Sequence, residues 1–215
     1  MCSAPAASLS LETTAVYGAT KERASAFYHC ASCDVFLQWP LLSEADERTF
    51  YKWEFEKFMQ SRNASGGFDW TGPESHMKSN LPQKERRELF LRPYYEAMRS
   101  RGQGSLLEVG CSSGFMLEGL GERYGMKCFG VEPSGVFQEH LRHKNMSAVS
   151  SLEELIQKYP TQRYDLIMHF FVLEHIREPA PFIEATLNLL APGCTLIIEV
   201  PNAQYPLRTL YQTEA

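Results

Sequence analysis

The chain has 215 residues, 44% hydrophobic and 22% charged, with a formal net charge of −5. Those proportions exclude a collagen-like, coiled-coil or wholly disordered chain, and the acidic balance argues against general nucleic-acid binding, which needs a basic field. No stretch approaches the roughly 20 consecutive apolar residues of a membrane-spanning helix. The opening MCSAPAASLSLETTAVYGAT lacks the basic start and apolar run of a secretory signal. Six cysteines are too sparse for a disulfide scaffold and suit a reducing compartment, so the expectation is a soluble cytoplasmic protein.

Residues 1–78 read as an irregular and helical N-terminal extension, and residues 79–215 as the main domain. The first twenty residues are expected to form a flexible arm. Ala26 to Trp39, AFYHCASCDVFLQW, is aromatic-rich with a central CxxC and predicts a short hairpin that Pro40 stops. Ser43, followed by Glu44, Asp46 and Glu47, is a helix-start signal, because oxygen acceptors and negative charge satisfy the exposed amides of a first turn. Phe50, Trp53 and Phe58 then recur at helical spacing. The cluster Phe50, Tyr51, Trp53, Phe55 and Phe58 is expected to serve core or lid packing. The stretch NASGGFDWTGPESH predicts a mobile connector. A second helix is predicted from Pro82 to Ser100, with Pro82 at its first position, Phe90, Tyr94, Ala97 and Met98 sharing one face, and Pro93 kinking or splitting it.

From Ser105 the rhythm becomes strand, helix, strand. SLLEV, KCFGV, a weak Met146–Val149, YDLIMHF and CTLIIEV read as strands. FMLEGLGERY, SGVFQEHLRHK, SLEELIQKY and EPAPFIEATLNLL read as the intervening helices. Short strands alternating with helices imply parallel pairing through right-handed crossovers. The result is an open α/β sheet that binds ligands at the carboxyl ends of its strands. Cys111, Cys128 and Cys194 lie in or beside these apolar runs and read as buried small hydrophobes. Asp165, starting the fourth strand, reads as a structural hydrogen-bonding residue, and His140 and His143 as surface residues.

The first strand-turn-helix carries the strongest chemical signal. Glu108-Val109-Gly110-Cys111-Ser112-Ser113-Gly114 puts two glycines in a tight turn just after an acid. Glycine there permits a sharp turn and a close-lying ligand. Glu132 ends the second strand 22 positions after Gly110, where a carboxylate can accept hydrogen bonds from both ribose hydroxyls. The plain alternative is an ordinary α/β turn whose glycines serve packing, with Glu132 solvated. The dinucleotide pattern G-x-G-x-x-G opens space for a pyrophosphate with its second glycine. Ser112 stands there, and Glu108 would repel a pyrophosphate while suiting a cationic amino-acid group. This disfavours NAD.

Four segments in order, LLEVGCSSGFMLEGL, FGVEPS, YDLIMHFFVLEHIREP and LAPGCTLIIEVPN, resemble the class I S-adenosylmethionine (SAM)-dependent methyltransferases over residues 103–203. The resemblance implies a Rossmann-like sheet of order 3-2-1-4-5 with SAM as cofactor. It also implies that Glu108, Gly110, Cys111, Ser112 and Gly114 surround the methionine part. Glu132 and Pro133 then lie at the ribose, Ser151 and Leu152 by the adenine, and His169 and Phe170 along the cofactor and acceptor side. Family members often have glycine where Ser112 stands. The Glu174-His175 pair matches one that some sugar C-methyltransferases hold near substrate, so His175 with Glu174 is the candidate for proton removal; other relatives keep such a pair for local hydrogen bonding.

The segment YHCASCDVFLQWPLLSEADERTFY resembles the second half of a zinc-binding module that precedes some small-molecule methyltransferases. A tetrahedral zinc site needs four ligands, and only Cys30 and Cys33 match the module's pairs, so the expectation is a hairpin without metal. The family normally continues past strand five to an antiparallel strand pair. Only AQYPLRTLYQTEA follows EVPN, which predicts a C-terminally truncated domain. The expected function is methyl transfer from SAM to a small-molecule acceptor, without nucleic-acid or membrane partners. The alternatives are a catalytically incomplete form that binds SAM or a protein partner, and a NAD enzyme.

Overall fold

β-branched and aromatic residues, with a tight turn between the second and third strands, build a small antiparallel sheet near the N-terminus. Strands β1 (Leu9–Thr13), β2 (Ala26–Cys30) and β3 (Val35–Trp39) lie in the order β1-β2-β3. β2 and β3 form the predicted hairpin, with Tyr28 opposite Leu37 and Cys30 opposite Val35. β1 is an addition to the expectation: Leu9–Thr13, read as part of a flexible arm, pairs with β2 through Leu9 opposite Cys30 and Leu11 opposite Tyr28. Its alternating LSLET is too short to stand out from a small, polar background. The structure is a computed structural model that describes residues 8–13, 24–54, 72–102 and 104–202. These fall into two units, Met1–Phe55 with Pro201–Ala215, and Glu56–Val200. Cys2, Phe55, Phe58, the stretch 55–71 and the tail after Asn202 lie outside the described residues.

In the first unit Ser43 caps α1 (Glu44–Thr49), its hydroxyl accepting the Asp46 amide at 3.1 Å. The helix passes into a π-helical turn, Phe50–Glu54, in which Phe50 is buried. Trp53, of the same aromatic run, is 61% exposed. Cys30 is buried and Cys33 exposed, with the intervening turn joined by His29 Nε2 to Asp34 Oδ1 at 2.8 Å. Among the described residues no group of three or more histidine, cysteine, aspartate or glutamate side chains is placed to hold a metal ion.

The second unit opens with a single long helix, α2 (Pro73–Ser100). The first-position proline is Pro73 rather than Pro82, and the helix runs through both Pro82 and Pro93. The face that meets the core also differs from the one expected. Arg87, Leu91, Tyr95 and Met98, spaced by four, four and three, are buried, whereas Phe90 is 76% and Tyr94 50% exposed. A polar residue, Arg87, belongs to the inward stripe, and that is why an apolar-periodicity reading picked the neighbouring one.

There follow β4 (Ser105–Val109), α3 (Phe115–Tyr124), β5 (Lys127–Val131), α4 (Gly135–His143), β6 (Ser147–Val149), α5 (Leu152–Lys158), β7 (Tyr164–Phe170), α6 (Pro179–Leu189) and β8 (Leu190–Glu199). All pairings in this sheet are parallel and the order is β6-β5-β4-β7-β8, which is 3-2-1-4-5 counted from β4. Alternation along β4 sends Leu106 to one core and Leu107 and Val109 to the other. The first core collects Leu91, Tyr95 and Met98 of α2, Leu117 and Leu120 of α3, and Leu141 of α4; the second collects Leu152 and Leu155 of α5 and Leu189 of α6. Each leucine removed from water here contributes about 1.5–3 kcal/mol of burial energy. Asp165 does the tying expected of it, accepting the Gly104 and Ser105 amides and the Ser105 hydroxyl, each at 2.9 Å. The doubly wound arrangement gathers the strand ends, and the turns that follow them, along one edge of the sheet. Among the described residues no helix is long and apolar enough to cross a membrane.

Candidate functional site

At the carboxyl end of β4 the chain reverses through three left-handed residues, Gly110 (φ 75°), Ser112 (φ 49°) and Gly114 (φ 72°). The amides of Gly110 and Cys111 bond to the Val131 carbonyl at 2.8 and 3.1 Å, which fastens the turn to the end of β5. A Cβ at Gly110 would meet the Val172 side chain, and one at Gly114 would lie 2.6 Å from Leu141 Cδ2 and 2.7 Å from Met146 Cε. Glycine is therefore required at both positions by backbone conformation and by packing. The side-chain direction of each is filled by protein, so any ligand must approach along the backbone face. Ser112 adopts the left-handed conformation as a non-glycine residue, which carries a strain of order 1 kcal/mol. Cys111 is buried beside Gly130, with desolvation first and the neighbouring Glu132 and Glu108 carboxyl groups next in holding its thiol protonated.

Glu132, 6% exposed, reaches from the end of β5 into this turn. One carboxylate oxygen accepts the Ser112 amide at 2.7 Å and the other accepts the Ser134 amide at 2.8 Å. These two bonds fix the carboxylate, and a carboxylate oxygen can accept more than one hydrogen bond. Pro133, beside it, is exposed, and Ser134 caps α4.

Glu108 presents a second carboxyl group at the same turn. It is 3% exposed, and its Oε2 has no hydrogen-bond partner among the described residues. Burial pushes its pKa up to about 8, with Glu132 adding to the rise and the Arg87 guanidinium opposing it. Arg87 itself is 7% exposed and donates from Nε to Glu199 Oε2 at 2.6 Å. Its guanidinium lies over the rings of Phe170 and Phe171, 4.3 and 5.3 Å from their centroids. The strand ends of β7 and β8 are thus joined to α2 through one cation.

At the end of β7, His169 is fully buried against Phe182, their ring centroids 5.0 Å apart, and neither of its nitrogens has a partner among the described residues. Burial holds it neutral, its pKa lowered to about 4. Phe170 is buried, and Phe171 follows in a left-handed conformation at φ 57°. A 3₁₀ turn, Leu173–His175, comes next. His175 Nε2 stands 3.9 Å from Glu174 Oε1, too far for a hydrogen bond, and the two side chains are 35% and 25% exposed. Partial desolvation lowers the His175 pKa and raises that of Glu174.

Of the residues singled out by sequence, Glu108, Gly110, Cys111, Ser112, Gly114 and Glu132 meet in one turn. His169, Phe170, Glu174 and His175 follow from the neighbouring strand. Ser151 and Leu152 start α5 after β6: the Ser151 hydroxyl caps the helix by accepting the Glu154 amide at 3.1 Å, and Leu152 is buried in the second core. Cys30 and Cys33 belong to the first unit. Two polar residues of α2 escaped notice. Arg87 carried no local signal among neighbouring charges. His76 was hidden in the presumed connector, although Gly72-Pro73-Glu74, with proline and an acid at a first turn, is a helix start.

A family model described as a methyltransferase domain matches residues 81–213. The ubiquinone biosynthesis O-methyltransferase of Methylococcus capsulatus is 26% identical over 156 residues, 69% of this chain and 61% of that protein. The protein of the same name from Serratia proteamaculans is 30% identical over 112 residues, 48% of this chain and 46% of that one. A solved SAM-dependent methyltransferase structure from Archaeoglobus fulgidus is 25% identical, with a TM-score of 0.46 over 60% of this chain and 57% of its own. The chain thus spans less than two thirds of the length of these curated relatives.

Proposed function

The chain belongs to the methyltransferase-domain family through residues 81–213, and from that premise we propose that it transfers a methyl group from SAM to a small-molecule acceptor. The observation that carries the reading is the Glu132 carboxylate, held by the Ser112 and Ser134 amides so that it faces the glycine turn. The donor set suits the cofactor. Glu132 has the capacity to accept from a ribose diol, and Glu108, held largely protonated by burial, has an unpartnered Oε2 and would ionise against a cationic amino-acid group.

When bound, SAM supplies a sulfonium methyl that is electrophilic without further activation. What remains for the protein is alignment and exclusion of water, since in-line displacement gains most of its rate from proximity. Phe170 and Phe171, braced by Arg87, give that edge an apolar wall. The curated relatives are named as O-methyltransferases, which favours a hydroxyl oxygen as acceptor atom. A hydroxyl must lose its proton, and His175, neutral near pH 7 because desolvation lowers its pKa, is the group we assign to take it.

Calorimetric titration with SAH (S-adenosylhomocysteine) and a turnover assay over a pool of phenols and other hydroxyl compounds test the reading. Binding together with methylated product supports it; folded protein without SAH affinity overturns it. Replacement His175→Gln should lower kcat by about 10²–10⁴-fold, as expected for loss of a general base, with SAH affinity within about twofold of the parent chain. An undiminished kcat removes His175 from the mechanism.

A further inference from the structure

The first turns of α2 bring one histidine against the glycine turn. His76, 6% exposed, places Nδ1 3.1 Å from the hydroxyl of Ser113, which is fully buried. Its ring sits between the first residue of α3 and the first turns of α4: the centroid is 5.6 Å from that of Phe115 and 5.1 Å from that of Phe137, the latter edge-on. Phe115 directly follows Gly114, and Phe137 is the residue whose amide Ser134 caps at 3.4 Å. Ser134 in turn donates its own amide to Glu132. One imidazole therefore touches the turn, the helix that leaves it and the helix anchored beside the Glu132 carboxylate. Burial lowers its pKa to about 4, so across the neutral range it presents one donor and one acceptor nitrogen.

We propose that His76 is a positioning residue for the cofactor site, holding the Ser113 segment of the glycine turn in its binding conformation through the Nδ1 contact. This inference rests on the SAM reading above. Ser112 is the non-glycine residue among the three left-handed positions of this turn and carries its strain, and the amides of Gly110 and Cys111 secure only the first half, by way of the Val131 carbonyl. The Gly114 amide closes back onto the Cys111 carbonyl at 2.8 Å, a bond within the turn. From outside the turn, the Glu132 carboxylate holds the Ser112 amide and His76 meets the Ser113 hydroxyl. Because Ser112 donates its amide to Glu132, a shift of Ser113 is transmitted to the carboxylate that meets the ligand. A residue outside the glycine motif thus sets how well the motif is formed before ligand arrives, and preorganisation of this kind appears as affinity.

The test is a double-mutant cycle on SAH affinity with His76→Ala, Ser113→Ala and the pair, accompanied by thermal melts. Loss of the contact should weaken SAH binding by about 3–10-fold in either single variant, the range expected for one hydrogen bond. The double variant should be no weaker than the weaker single. His76→Asn, whose amide can stand near the Nδ1 position, should recover most of the affinity, whereas a packing role alone would leave it as weak as alanine. Should His76→Ala fail to fold, Ser113→Ala and His76→Asn still decide. Unchanged affinity in a folded single variant, or losses that simply add, overturns the inference while leaving the SAM reading intact. No SAH binding by the parent chain overturns both.

Discussion

The two units differ most in what they bury. In the first, Ala26, Cys30 and Phe50 are the buried apolar residues described, and Leu11, Val35, Trp39 and Trp53 are each at least half exposed. In the second, Leu106, Leu107, Met116, Leu120, Leu141, Leu166, Ile167 and Met168 are fully excluded from solvent. The five-stranded sheet is covered on both faces, whereas the three-stranded one resembles a ladder whose side chains remain largely wet. The cores of the second unit can therefore fix backbone conformations that are unfavourable in isolation, such as the left-handed Ser112 and Phe171. In the first unit the left-handed Asp34, at φ 53°, is exposed and braced by its own side chain through His29.

Substitutions should expose this asymmetry. The largest effect is expected from Leu166→Ala, which empties a site on β7 within the first core and should cost about 2–5 kcal/mol in urea unfolding. Acid should come next. His76 and His169 are each held near pKa 4, below the ordinary value of 6.5, by burial. The folded state then favours the neutral form, so their contribution is present above pH 6.5 and is lost as pH falls towards 4, by about 1–3 kcal/mol for each imidazole. Glu108 opposes this loss over the same range, so the test is made in Glu108→Gln, where a denaturation midpoint that stays flat from pH 7 to 4.5 would contradict that burial. Glu108 works in the opposite sense. Its folded pKa of about 8 is raised by burial, so the contribution is whole below pH 4.5 and is lost as pH rises through 8. Glu108→Gln should raise stability at pH 9 by on the order of 1–2 kcal/mol and leave it unchanged at pH 5. The smallest effect belongs to the first unit: Val35→Ala, at a half-exposed position, should change stability by less than about 0.5 kcal/mol. A larger cost there would mean that the small sheet is better packed than its exposure indicates.

The parallel sheet was legible because each of its strands is an apolar run bounded by turn residues, and because alternation with helices leaves few ways to connect them. The turn from Glu108 to Gly114 and the acid at Glu132 were legible for a related reason: local backbone chemistry demands those residue types at those spacings. Contacts between distant segments were not readable in the same way. The stripe of α2 that meets the core contains Arg87, whose burial depends on Glu199, 112 positions away. The His76 contact with Ser113 spans 37 positions. Leu9–Thr13 becomes a strand only because β2 offers it an edge. The adenine-side expectation at Ser151 and Leu152 came from the family resemblance, and in the sequence a helix-capping serine carries no signature that separates it from one at a ligand.

The central claim is that the hydrogen-bonded carboxylate of Glu132 forms part of a SAM pocket, and calorimetric titration of SAH into the parent chain and Glu132→Ala tests it most directly. Loss of the carboxylate should weaken binding by about 1–3 kcal/mol, or roughly 5–150-fold, in protein whose melt remains cooperative. Equal affinity in the two folded proteins would place the ligand elsewhere and contradict the account.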